Sequence, residues 1–275
     1  MLVIATNLVL SATEALNVNN PVIGWRNIVT AGNIASTTAA AGFPVTNLAN
    51  PATHLKWTAG VNTGDEYVTV TTSTLDEIDY LAVAKHNFGS GQLVVSVEGD
   101  VAGNSPDLGF EELVQETMLA DDTPVLFRFT PRSLTQVRLR IQAGLLVPEA
   151  AVLYVGKLLV MERSIKIDVD HTPITMGRVA KVVNGKSTSG NFLGRIMLGE
   201  TRESTADFNH ITPAWYRSEF DPFVIASQEA PFFWAWNPTE YPREVGYCWT
   251  VDDPMPEIDP VTRRAAVRLK LQGVA

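Results

Sequence analysis

Enzymes carry nucleophiles, acids or metal ligands at fixed spacings, and this chain of 275 residues holds none of the familiar ones. There is no GxSxG, no HExxH, no phosphate loop and no dinucleotide fingerprint. The four histidines, His54, His86, His171 and His210, sit at no metal-ligand spacing from one another. Cys248 is the only cysteine, which excludes an internal disulfide and a thiolate zinc site; it reads as a small buried apolar side chain in a strand. Glycan hydrolysis would need two carboxylates flanking a cleft, and nothing in the sequence singles out a pair. The reading is therefore no catalytic residue, no metal ligand, no cofactor and no enzyme.

Binding chemistry is better represented. Asp168 and Asp170 of the DVDH segment would share a face of a strand and could hold a hard cation; the competing reading is a solvated strand end before Thr172 and Pro173. Asp252, Asp253, Glu257 and Asp259 form an acidic stretch broken by Pro254, Pro256 and Pro260, which reads as a solvated loop because it lacks the register of a calcium loop. Trp57, with Trp25 and His54, offers ring faces that suit a sugar, against core packing. His86 and Asn87 end an apolar strand, where they either bind such a ligand or cap loop backbone groups. Trp25, Trp57, His86 and Asn87 are thus the carbohydrate-contact candidates. Phe232, Phe233, Trp234 and Trp236 form the densest aromatic run. On a strand, Phe232, Trp234 and Trp236 share one face and Phe233 takes the other, so both faces need cover. A subunit interface is one way to supply it, and a two-sided core is another.

These residues must be positioned by strands. Short β-branched or alternating runs recur at 66–72, 79–84, 92–98, 125–130 and 136–142. The segment 151–161 is apolar enough to be buried on both faces. Residues 110–118 read as one short helix. Beyond residue 165, strands are expected at 164–169, 192–199, 200–206, 231–236, 245–251 and 265–271, with a polar turn at 185–190. Thr212-Pro213 and Asp221-Pro222 mark helix starts, giving two short helices or one kinked helix over about 213–229. The expected fold is mainly β: an antiparallel sandwich of jelly-roll type over 1–165, and a second β domain with a helical insertion over 166–275.

The composition suits a globular chain with 45% hydrophobic residues and a formal charge of −9. Affinity for phosphate backbones comes from clustered positive charge, so nucleic-acid binding is not expected. The N-terminal MLVIATN is too short and lacks the basic leader of a signal peptide, and no apolar run reaches the length of a membrane span.

Specific segments carry a resemblance. FPVTNLANPATHLKW, from Phe43 to Trp57, resembles a recurring motif of siphophage tail proteins, where it opens a discoidin-like (galactose-binding-like) β-sandwich. DYLAVAKHN (79–87) and YVGKLLV (154–160) are similar to later strands of that module. Pro213-Ala-Trp-Tyr, Asp221-Pro-Phe, the aromatic run and 244–249 are similar to C-terminal regions of the same proteins. The resemblance touches most of residues 30–271. It implies a structural protein of the phage tail, assembled in the host cytoplasm. It would form a homo-oligomeric ring, commonly a hexamer, that joins the tail tube to the baseplate or tip proteins. A carbohydrate-binding module that contacts the host surface is the alternative expectation.

Overall fold

The structure, a computed structural model, describes residues 1–72, 76–101, 109–166 and 170–274. Three sheets stack face to face and a helical segment covers the last. The outermost sheet has five strands in the order β3 (Ile34–Ser36), β5 (Glu66–Thr71), β10 (Leu134–Ile141), β7 (Val94–Val101) and β8 (Glu111–Met118). The middle sheet has four, β1 (Leu2–Ile4), β9 (Val125–Arg132), β6 (Ile78–Ala84) and β12 (Val152–Gly156). All of their pairings are antiparallel except β1 with β9. A two-stranded ladder joins β4 (Trp57–Thr58) to β11 (Glu149–Ala150).

The outer and middle sheets enclose one core. Val68, Val70, Val95, Val97, Val137 and Leu139 face Leu81, Val83, Phe127, Phe129, Leu153 and Val155 across it. The period of two puts the alternate residues of the middle sheet, Tyr80, Ala82, Leu126, Val152 and Tyr154, on its other face. That face is also buried, which is why 78–84 and 152–156 are apolar on both sides.

The cover comes from the third sheet. Its strands run β13 (Leu159–Val160), β2 (Val22–Gly24), β16 (Phe232–Ala235), β17 (Val245–Thr250), β19 (Ala265–Val274), β15 (Phe192–Ile211) and β14 (Arg178–Lys186), with β18 (Pro256–Ile258) also paired to β19. This sheet draws β2 and β13 from the first 165 residues, so the two halves share both a sheet and a core layer. Its far face packs under α2 (Pro213–Trp215), a wider helical turn at Tyr216–Phe220, and α3 (Asp221–Ser227). The two helix-start signals thus merge into one continuous segment; Pro213 opens it, while the Thr212 side chain bonds Glu162 instead of capping. A short helix, α1 (Ala12–Leu16), begins at a capping box between Ser11 and Glu14.

Some expectations change. Residues 111–118 form strand β8, because pairing with β7 and burial of Leu113 and Val114 outweigh the local helical preference. The segments 192–199 and 200–206 are one strand of twenty residues, and β14 was not foreseen. The apolar run 151–161 breaks at Lys157, so that its end joins the third sheet. The end of the strand expected over 164–169 lies outside the described residues. No helix among the described residues is long and apolar enough to cross a membrane.

Candidate assembly surface

The carbohydrate-contact candidates are not gathered into a site. Trp57 is fully buried in the sandwich core and its indole N–H donates to the Thr38 carbonyl at 3.1 Å. The surrounding motif is a packing device: Pro44 leads into a tight helical turn at Val45–Ala49, Leu48 is buried, and the Asn47 side chain donates to the Lys56 carbonyl at 2.7 Å. His86 is buried; one ring nitrogen accepts from the Phe88 N–H at 3.2 Å and the other meets the Thr123 carbonyl at 2.9 Å. Burial pushes its pKa down to about 4. Asn87 pins the 147–149 loop, donating to the Val147 carbonyl at 2.8 Å and accepting from the Glu149 N–H at 3.0 Å. Trp25 belongs to the other core, half-buried against Phe223 with ring centroids 6.3 Å apart. Trp57, His86 and Asn87 thus direct their polar atoms to backbone groups of the fold, and Trp25 stands apart from them in the other core.

The rim near Asn87 does expose one ring that the sequence did not single out. Phe43 is 39% exposed, with the Lys56 ammonium 5.6 Å from its centroid and paired to Glu149 at 2.6 Å. His54, Leu145, Leu146 and Val147 are also exposed.

The aromatic strand is also internal. Phe232 and Trp234 face the helical segment, where Phe223 meets Phe232 edge-on at 4.8 Å. Phe233 faces the sandwich, 5.4 Å from Tyr154 and 5.0 Å from Tyr247. Trp236 is half-buried, stacked on Tyr241 and bonded to Glu244. The alternation read from sequence is present, but the cover comes from this chain's own sandwich and helices, so these residues are not a free interface.

What the sequence missed is a projecting arm. From Arg202 to Ile211, β15 pairs with β19 on one side. From Thr201 back to Phe192 its only strand partner among the described residues is β14, and β14 pairs with nothing else. Ten residues of ribbon at 3.3 Å each carry the tip about 30 Å from the sheet. Its apolar side chains point into solvent on both faces. Val183 stands opposite Ile196 on one face and Val182 opposite Met197 on the other, while Leu198 is the extra residue of a bulge. Phe192, Leu193, Ile196, Met197 and Leu198 are each 59–69% exposed. The ribbon is also basic: residues 178–202 carry Arg178, Lys181, Lys186, Arg195 and Arg202 against Glu200 alone, a net +4. The whole chain is −9, so the remainder carries −13.

The arm is anchored at its base. Glu203 N–H donates to the Gly177 carbonyl at 2.8 Å, and a side chain at Gly177 would lie 1.8 Å from the Glu203 carbonyl oxygen. Arg202 bonds the Thr175 carbonyl and pairs with Glu200 at 3.2 Å.

Asp168 lies outside the described residues. Asp170 is exposed, and His171 is held by the Thr205 carbonyl at 2.9 Å. Among the described residues no group of three or more His, Cys, Asp or Glu is placed to hold a metal ion. Cys248 is buried, and burial pushes its thiol pKa up.

No family model and no curated sequence matches the chain. Solved structures overlap it in part. Chitosan-binding module 1 from the chitosanase/glucanase of Paenibacillus sp. IK-5 is 11% identical, covering 47% of this chain and 98% of that one at a TM-score of 0.41. CBM32-3 from a family 31 glycoside hydrolase of Clostridium perfringens is 12% identical over 47% and 94%, with a TM-score of 0.37. A putative alpha-L-fucosidase from Bacteroides thetaiotaomicron is 19% identical over 48% and 28%, with a TM-score of 0.38. Those scores describe a partial overlap and decide nothing about this chain.

Proposed function

We propose that this chain is a non-catalytic structural subunit that assembles with copies of itself. The observation that carries the reading is the arm. A two-stranded ribbon alone in water is marginal, and this one exposes large apolar side chains on both faces. A ribbon of that kind is built to be covered. The tail setting rests on the sequence segments, above all FPVTNLANPATHLKW and the aromatic run. On that reading the protein forms a ring, such as a hexamer, at the distal tail of a long-tailed phage, with the tail tube and the baseplate or tip proteins as neighbours. Antibodies raised against the chain should label the tail tips of the phage that encodes it in electron micrographs; labelling absent from the tail would overturn the tail assignment.

A second reading, binding of a host-surface carbohydrate, is supported by the exposed Phe43 ring with Lys56 and Glu149 beside it. Phe43→Ala should abolish binding in a glycan screen under this reading, whereas an absence of binding by the intact chain would remove it.

A further inference from the structure

We infer that the arm of one copy docks on the Val251–Val261 rim of the next, a heterologous contact that resolves how the proposed assembly closes; the inference rests on the assembly reading. The rim offers what the arm lacks. Between Val251 and Val261 the sequence VDDPMPEIDPV carries Asp252, Asp253, Glu257 and Asp259 and no basic residue. Asp252 already pairs with Lys270 at 2.7 Å, so Asp253, Glu257 and Asp259 are the acids left to meet the arm's +4. Interleaved with them, Val251, Met255, Ile258 and Val261 are 52–88% exposed. Both surfaces therefore alternate apolar side chains with charge, of opposite sign.

The shapes fit as well. Beside β18 a groove is lined by the apolar Pro213, Pro256, Ile258 and Ala265 with Tyr216, and by the charged Arg217 and Asp221; its apolar part is a slot for projecting side chains such as Phe192 or Ile196. Strand β18 pairs only with β19 among the described residues, so its outer edge is free to take a further strand.

Topology sets the symmetry. The arm leaves from the β14–β15 side of β19, and the rim sits on the side of β19 that carries β17 and β18. Donor and acceptor thus lie on opposite flanks of one strand. Two different patches, one given and one received, make a head-to-tail contact, which closes into a ring when the rotation per subunit divides the circle. The acidic rim alone would mean only a solvated loop; the basic, apolar arm on the same chain is what identifies its occupant as a second copy.

The test uses full chains carrying Ile196→Cys or Ile258→Cys, with native Cys248 buried and out of reach. Under mild oxidation the mixture of the two should give a disulfide-linked dimer, and neither alone should. Lys181→Glu with Arg195→Glu should weaken association at least tenfold, and adding Asp253→Lys with Glu257→Lys to the same chain should restore it. If the intact chain associates but the mixture does not cross-link and the reversal does not rescue, this docking is overturned while the assembly reading stands. Cross-linking of Ile196→Cys alone as strong as the mixture shows arm-to-arm contact and overturns it too. A monomer at every concentration overturns the assembly reading and the docking together.

Discussion

At the scale of single residues, the polar side chains buried in the sandwich govern its response to acid. His86 is held neutral, with a pKa near 4, whereas an unfolded histidine titrates near 6.5. The folded pKa is the lower one, so its contribution is fully present above about 6.5 and is lost as pH falls toward 4, worth about 3 kcal/mol over that window. Asp79, whose buried carboxyl is raised to about 7, gains stability over the same window and opposes it, so the readout is the difference between the intact chain and His86→Gln. His86→Gln should have a lower urea midpoint at pH 7, and that deficit should shrink as pH falls to 4.5; parallel curves would show that His86 does not contribute to the slope. Arg128 presents the opposite case. It is fully buried, and none of its three guanidinium nitrogens has a hydrogen-bond partner among the described residues. Asp79 is buried nearby, its carboxyl pKa pushed up to about 7 by that burial while it accepts from the Leu158 N–H at 2.7 Å. Replacing buried charges with apolar or neutral groups of similar size is often stabilising by about 1–4 kcal/mol. Arg128→Met with Asp79→Asn should therefore raise the melting temperature, and a marked fall would show that the two charges stabilise the middle sheet.

At the scale of elements, alternation was the legible part of the sequence. Runs such as 136–142 gave strand and face together, because one side of that sheet meets water and the other meets the core. Trp57 and His86 were ambiguous for a physical reason: a ring that stacks on a sugar and a ring that plugs a core have the same sequence signature, and only burial separates them. The arm was illegible because β14 is apolar and basic on both faces, so it lacks the contrast that marks a half-buried strand. The helical segment was legible from Thr212-Pro213, as the one-kinked-helix form of the expectation, whereas Asp221-Pro222 starts no second helix: Phe220 and Asp221 are already helical and the segment runs through them. Because the arm shares no core with the rest of the chain, replacing residues 179–201 with a short Gly-containing turn should leave the melting temperature nearly unchanged while abolishing self-association. A large loss of stability on that deletion would mean that the arm is part of the fold instead of an appendage. Trp234→Ala should do the reverse, costing about 3–5 kcal/mol through the cavity it leaves in the core beneath the helices.

At the scale of the whole molecule, charge is distributed unevenly, with +4 on the ribbon and −13 on the body. Attraction between such patches is screened by salt over about 10 Å at 0.1 M, so assembly should weaken between 50 mM and 500 mM salt without dissolving entirely, since the apolar side chains of the arm remain. The sandwich, the shared middle layer and the aromatic strand together form the platform from which the arm projects. The most direct test of this account is the mass of the full-length chain in solution by light scattering, from micromolar to hundreds of micromolar, beside the arm-shortened variant. The account predicts a single closed oligomer for the intact chain and a monomer for the variant. A monomer in both cases, or an oligomer of equal size in both, would contradict it.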